Sequence, residues 1–254
     1  MPDPRVIIQL KQLSYSINDH IVIDHIDLDI YEQEIFVVMG LSGCGKTTLL
    51  RLICGLIQPT SGSILIQNRD ITAMSESELN SVRAHMGLVF QFGALFDSLS
   101  VGENVGFRLY EQTNLAKAQV AIAIDEKLRL VGLPDTEQLL PAEVSGGMQK
   151  RIGIARALMG DPEMLLYDEP TSGLDPIIAA TIDGLIVDLR NKVGVTEVIV
   201  SHDVHSVLRM ADRMALLYDG RFRLIGTADE FNNSTDPVVR QFLEGKTEGP
   251  IQVA

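Results

Sequence analysis

Hydrophobic positions along this chain change period several times, and each change predicts an element. Val6-Ile7-Ile8, Ile21-Val22-Ile23 and Ile26-Asp27-Leu28-Asp29-Ile30 run or alternate apolar. That period of two predicts strands over 6–10 and 21–30, antiparallel and joined by the Asn18-Asp19 turn. Ile35-Phe36-Val37-Val38-Met39 is apolar throughout, the mark of a strand buried on both faces. A helical run over 48–56 ends near Gly55, and Pro59 and Gly62 mark a turn before the strand Ser63-Ile64-Leu65-Ile66. Residues 75–83 read as a short helix with Leu79 and Val82 inward, and 86–90 as another apolar strand with Gln91 at its end.

From about 94 to 160 the apolar spacing turns to three and four, the helical period. Helices are predicted over 101–110, over 116–131 (closed by Gly132 and Pro134) and after Gly146-Gly147. Strand signals then return. Met164-Leu165-Leu166-Tyr167 is a strand, 177–192 a helix, Val198-Ile199-Val200 a strand, 203–212 a helix and 214–218 a strand. Strands alternating with helices imply a mostly parallel α/β sheet, here interrupted by a helical insertion. The tail, about 227–254, is acidic and turn-rich, with one short amphipathic piece around Val238, Val239, Phe242 and Leu243.

Composition narrows the function classes. Apolar residues make up 46% and charged ones 22%, the balance of a folded globular chain. A net charge of −13 argues against a nucleic-acid surface, which needs clustered Lys and Arg. No apolar stretch approaches the ~18–20 residues that span a bilayer, and Met1-Pro2-Asp3-Pro4-Arg5 lacks a signal-peptide pattern. Any membrane role is therefore expected to run through partners. The two cysteines, Cys44 and Cys54, suit a reducing compartment and form no metal pattern.

The chemistry begins at Gly40-Leu41-Ser42-Gly43-Cys44-Gly45-Lys46-Thr47-Thr48, directly after the apolar strand at 35–39. The form is G-x-x-x-x-G-K-T between a strand and a helix, the setting a phosphate loop requires. Its backbone N–H groups would curl around phosphate oxygens, and the next helix would add its positive end. Lys46 would reach the β- and γ-phosphates and the Thr47 hydroxyl a Mg²⁺ ion. The alternative, a glycine-rich turn that binds nothing, is disfavoured by the complete motif. Asp168-Glu169 ends the strand at 164–167. Asp168 suits Mg²⁺, a hard cation that takes oxygen ligands, and Glu169 can polarise a water for attack on a γ-phosphate. Ser145-Gly146-Gly147 offers a hydroxyl, N–H groups and a helix start to an anion, although alone it reads rather as a simple helix cap.

Taken together, the phosphate loop, Ser145-Gly146-Gly147, Asp168-Glu169, Ser172-Gly173-Leu174-Asp175 and His202 resemble the ATP-binding cassette (ABC) ATPase family over almost the whole chain. The resemblance implies a P-loop NTPase fold of RecA-like type. In it, a mostly parallel sheet carries an N-terminal antiparallel β subdomain and an inserted helical subdomain, all one nucleotide-binding domain over 1–254. It implies ATP and Mg²⁺ as cofactors. Residue by residue, Gly40 to Thr48 resemble the Walker A loop, Asp168 and Glu169 the Walker B acids, and Ser172 to Asp175 the D-loop. Gln91 resembles the Q-loop glutamine, which contacts Mg²⁺ and water and senses the membrane partner. Val144-Ser145-Gly146-Gly147-Met148 resembles the signature L-S-G-G-Q, with Val for Leu and Met for Gln. His202 resembles the switch histidine that contacts the γ-phosphate. Catalysis is thus expected from Glu169, His202 and Gln91, and metal binding from Thr47, Gln91 and Asp168.

The resemblance also implies a head-to-tail dimer with a second copy, each ATP held between one Walker A loop and the other chain's signature. Motion would pass to integral-membrane permease subunits. A finer match runs over 90–105 (Phe90-Gln91-Phe92-Gly93-Ala94-Leu95-Phe96-Asp97-Ser98-Leu99-Ser100-Val101-Gly102-Glu103-Asn104-Val105) and over Asp236-Pro237-Val238-Val239-Arg240-Gln241-Phe242-Leu243-Glu244-Gly245. It is similar to the cassettes of bacterial Mla/MCE (maintenance of lipid asymmetry) phospholipid transporters. That implies the cytoplasmic face of an inner membrane, with small STAS-type and MCE-domain subunits as further partners. The same motor on another permease, or a soluble cassette, are the alternatives; the second usually carries paired cassettes or added modules that are missing here. Leu95, Phe96, Leu99 and Val101 are expected at a permease-docking groove or in the helical core. Counting back from Val22-Ile23, the family's adenine-stacking position falls on Ile17, with Tyr15 expected to pack inward.

Overall fold

The computed structural model describes residues 5–91 and 93–252; residues 1–4, where no signal peptide is read, and Phe92 of the 90–105 match lie outside it. The chain divides into two compact units, Met1–Leu79 with Val198–Ala254, and Asn80–Glu197.

In the first unit, β1 (Val6–Ile17) and β2 (His20–Tyr31) form an antiparallel hairpin. Its turn residues Asn18 and Asp19 have φ of 47° and 63°, the left-handed pair that a two-residue hairpin turn demands and that Asn and Asp tolerate. Both strands run further than predicted. Gln12, at φ 46°, is left-handed and the ladder shifts register between Leu10 and Leu13. Such a bulge breaks the apolar alternation while the strand continues. β3 (Ile35–Met39) is buried at every position. After α1 (Lys46–Ile53) come β4 (Ser61–Ile66), antiparallel to β1, and a two-residue β5 (Arg69–Asp70). The helix α2 (Glu76–Arg83) turns Leu79 and Val82 inward as expected.

The second unit carries β6 (Met86–Val89), α3 (Val101–Gln112) and α4 (Lys117–Leu130). A 3-10 turn at Pro141–Glu143 precedes α5 (Gly146–Ala157), β7 (Met164–Asp168) and α6 (Pro176–Val193). β6 and β7 pair in parallel. Ser100 starts α3 with a reciprocal cap: its hydroxyl accepts from the Glu103 N–H, and the Glu103 carboxylate accepts from the Ser100 N–H. The helical stretch predicted over 94–160 falls within this unit.

The chain then returns through β8 (Thr196–Ser201), α7 (Val204–Met210), β9 (Arg213–Tyr218), β10 (Arg221–Gly226), α8 (Ala228–Asn232) and α9 (Pro237–Glu244). β3 lies between β8 and β9; β9 is parallel to β3 and antiparallel to β10. Parallel strands with crossover helices beside a separate antiparallel sheet make this the predicted α/β fold. The tail holds more structure than a turn-rich reading allowed. Thr227 and Glu230 cap α8 reciprocally, Asp236 caps α9, and the buried Gln241 amide accepts from the Ile251 N–H (2.7 Å) and donates to its carbonyl (3.0 Å). No helix of the described residues is long and apolar enough to cross a membrane.

Candidate active site

The phosphate loop leaves β3 at Met39 and enters α1 at Lys46. Gly45, the residue before the helix, sits at φ 107°, a left-handed conformation. A Cβ there would lie 3.0 Å from Val22 Cγ1 and 3.3 Å from Ile23 Cδ1. Only glycine lets the loop turn while β2 passes so close. Gly40 is tighter still, since a Cβ would meet Cys44 Sγ at 2.5 Å and the Leu217 carbonyl at 2.6 Å. Lys46 is only 5% exposed, and its ammonium donates to the Gly40 carbonyl at 2.8 Å and the Leu41 carbonyl at 3.0 Å. Its charge is thereby fixed at the mouth of the loop, beside the first α1 N–H groups that no helical carbonyl can satisfy. Thr47 and Thr48 are half-buried, and Leu41 and Cys44 flank the exposed Ser42 and Gly43.

His202, in the same unit, is exposed just after β8. The next residue, Asp203, caps α7 by accepting from the His205 and Ser206 N–H groups and from the Ser206 hydroxyl. Burial pushes the Asp203 carboxyl up, but the Ser206 N–H and hydroxyl, the His205 N–H and the Arg209 charge outweigh it, so its pKa is lowered. Tyr15 stands opposite Ile23 across the hairpin and is half-buried, whereas Ile17 at the tip is 48% exposed. Because Ile23 approaches Gly45, Tyr15 shares the hairpin face that meets the loop.

The second unit gathers the other predicted residues. Asp168 and Glu169, both half-buried, end β7, and Glu169 has φ 51°, unusual for a non-glycine residue. The Gln91 amide donates to the Ser172 hydroxyl at 3.2 Å, and the Ser172 N–H donates to the Glu169 carbonyl at 3.2 Å. Ser145 and Gly146 are exposed at the start of α5, where the Ser145 hydroxyl accepts from the Met148 N–H at 3.3 Å. Gly147 follows, half-buried.

Two residues here escaped the sequence reading. Lys150 is buried and its ammonium donates to the carbonyls of Gln91 and Glu169. Burial pushes its pKa down, against the opposing pull of the Glu169 and Asp168 charges. Asn104, fully buried, accepts from the Phe96 N–H and donates to the carbonyls of Phe96, Leu99 and Ser100. It thus clips the loop that presents Phe96. The apolar group at 95–101 is split: Val101 is core, Leu95 and Leu99 are half-buried, and Phe96 is 45% exposed against Phe107, with ring centroids 4.9 Å apart. Beside Phe107 lies a hollow of about 270 Å³, also lined by Met86, Leu88, Arg108 and Arg156. Lys150 carried no motif and Asn104 stood only within the 90–105 match, without a role; a lysine or an asparagine on an otherwise apolar helix face was the available signal.

Comparison with known proteins now decides the family, because residues 23–172 match the one described as ABC transporter. The chain belongs to the ABC transporter family. This ABC chain is 41% identical over 245 residues to the intermembrane phospholipid transport system ATP-binding protein MlaF of Escherichia coli (strain K12), covering 96% of this chain and 91% of that protein. It is also 41% identical over 246 residues to the probable ribonucleotide transport ATP-binding protein mkl of Mycobacterium leprae (strain TN), covering 97% of this chain and 71% of that protein. Among solved structures, the ATP-binding cassette MJ0796, a dimer in a post-hydrolysis state bound to ADP and Pi, aligns with a TM-score of 0.78 at 31% identity. That alignment covers 87% of this chain and 98% of the cassette. The ABC chain is thus an ATP-binding protein and an ATPase of cassette fold.

Proposed function

We propose that this ABC ATPase is the hydrolytic motor of an Mla-type phospholipid transporter, a single nucleotide-binding domain on the cytoplasmic face of an inner membrane. The observation that carries this reading is the similarity to MlaF over nearly the full length of both chains. Two copies pair head to tail and act on integral-membrane permease subunits, with STAS-type and MCE-domain subunits in the complex.

Gly40 to Thr48 wrap the phosphates, and Lys46 supplies the cation already fixed at the loop. The donors proposed for Mg²⁺ are the Thr47 hydroxyl, the Gln91 amide oxygen and the Asp168 carboxylate, all hard oxygen ligands. Among the described residues no cluster of three or more His, Cys, Asp or Glu could hold a metal by itself. When bound there, Mg²⁺ would supply neutralisation of the phosphate charge. Glu169 takes the proton of the attacking water, Gln91 orients that water, and His202 contacts the γ-phosphate. Ser145, Gly146 and Gly147 present a hydroxyl and helix N–H groups to the ATP bound by the other copy. Phe96 and Phe107 form the apolar contact to the permease.

Purification of the tagged chain from membranes, followed by identification of its companions and bound lipid, tests the reading. A permease with co-purifying phospholipid supports it. The mkl relative favours a second reading, another cargo on the same motor, and a permease complex holding a nucleotide cargo and no lipid would establish that instead.

A further inference from the structure

All three cations of α5 end on backbone carbonyls rather than on carboxylates: Arg151 on one, at Val131, and Arg156 and Lys150 on two each. Arg156 donates to the Gly93 carbonyl at 2.6 Å and the Ala94 carbonyl at 2.7 Å. Lys150 donates to the Gln91 carbonyl and, at 3.4 Å, to the Glu169 carbonyl. Two of these acceptors, Ala94 at φ 46° and Glu169 at φ 51°, are non-glycine residues in the left-handed region. Such conformations persist only where surrounding bonds over-determine them, and they gather at functional sites.

The Lys150 contacts also close a ring. From Gln91 the bonds run through its side-chain amide to Ser172, from the Ser172 N–H to the Glu169 carbonyl, and from there through Lys150 back to the Gln91 carbonyl. Gln91 and Glu169 lie far apart in sequence, and this ring ties together the backbone from which both side chains project. An ammonium suits the position because it offers three donors on a flexible stem and can serve two carbonyls at once.

We propose that Lys150 is a positioning residue for ATP hydrolysis, joining the carbonyls of Gln91 and Glu169 so that their side chains act on one water. The inference rests on the roles given to Gln91 and Glu169 above. Lys150 is given the groups that act on the water, not the phosphates, so its loss is expected to change turnover and leave ATP binding alone.

The test is steady-state hydrolysis by the full chain, with ATP titrations and thermal melts, for Lys150→Met, Lys150→Arg and Glu169→Gln. Misplacing reacting groups by about an ångström costs on the order of 10²-fold in rate, and Lys150→Met is expected to lower kcat by about that much with KM for ATP unchanged. Lys150→Arg, which keeps paired donors and the charge, should recover most of kcat. A folded Lys150→Met with normal kcat, or with only KM raised, overturns the role of Lys150 while an inactive Glu169→Gln leaves the catalytic reading intact. Normal turnover in Glu169→Gln would instead remove that reading itself. If Lys150→Met fails to fold, Lys150→Gln carries the measurement. A fall of about tenfold in kcat at constant KM supports the proposal and full kcat overturns it. If neither folds, Lys150 is a stability residue and the proposal is lost.

Discussion

At the scale of single residues, each candidate role separates binding from turnover. Glu169→Gln keeps the shape and removes the charge that accepts a proton, so turnover should fall by about 10²-fold or more while ATP still binds. Lys46→Ala removes the cation held by the Gly40 and Leu41 carbonyls, and an ATP titration should show weakened binding itself. The base contact we propose falls on Ile17 or Tyr15. Stacking on an aromatic ring is worth ~1–3 kcal/mol where measured in nucleic-acid binders. The 48% exposed Ile17 can offer only apolar contact. Ile17→Tyr is therefore expected to tighten ATP binding by up to about tenfold, or ~1.4 kcal/mol. No gain there, with a large loss from a folded Tyr15→Ala, would assign the base to Tyr15, which already shares the face of Ile23. Asp203 gives a pH signature. Its folded pKa lies below the ordinary 3.8, so its stabilisation is present above that value and lost as pH falls through the lower folded one. Asp203→Ala should cost about 1 kcal/mol of stability at neutral pH, the usual worth of a helix cap. It should also flatten the loss of thermal stability as pH falls below 3.8 through the lower folded value.

Among the elements, the stretch from 96 to 100 that leads into α3 is held by one buried side chain. Asn104 makes four hydrogen bonds to its backbone, and the cap at Ser100 and Glu103 fixes where it rejoins the helix. Removing a buried partner leaves its groups unsatisfied, at about 1–3 kcal/mol. Asn104→Ala should thus lower the melting temperature as well as loosen the loop, and limited proteolysis should cut near Phe96. Phe96→Ala changes an exposed ring only, so the isolated chain should melt as before while its recovery with the permease falls. A variant that unfolds, or stays fully assembled, removes Phe96 from the docking surface.

For the molecule as a whole, the signature residues Ser145 and Gly146 face solvent at a helix start, which leaves them available to another copy's nucleotide. Glu169→Gln with Mg²⁺ and ATP should therefore sediment as a dimer, and removing Mg²⁺ with a chelator should return it to monomer. A mass unchanged by nucleotide and metal would rule out ATP-dependent pairing.

Much of this was legible in the chain because it is local. The run at 35–39, the phosphate loop and the helix behind it are adjacent in sequence, and Asn18-Asp19 specifies its turn through two left-handed residues. The cap at Ser145 is likewise local, its hydroxyl meeting an N–H three residues on. What only the folded chain decided was contact between distant positions. β10 has no clean alternation, and pairing with β9 makes it a strand. Val101 and Phe96 are both apolar, and packing alone sends one to the core and leaves the other exposed. Lys150 shows the limit most clearly: its acceptors lie 59 and 19 residues away and are backbone carbonyls, which every residue carries. Periodicity reports which face of an element is buried, but a carbonyl acceptor has no side-chain identity to read, so only tertiary structure could join α5 to Gln91 and Glu169.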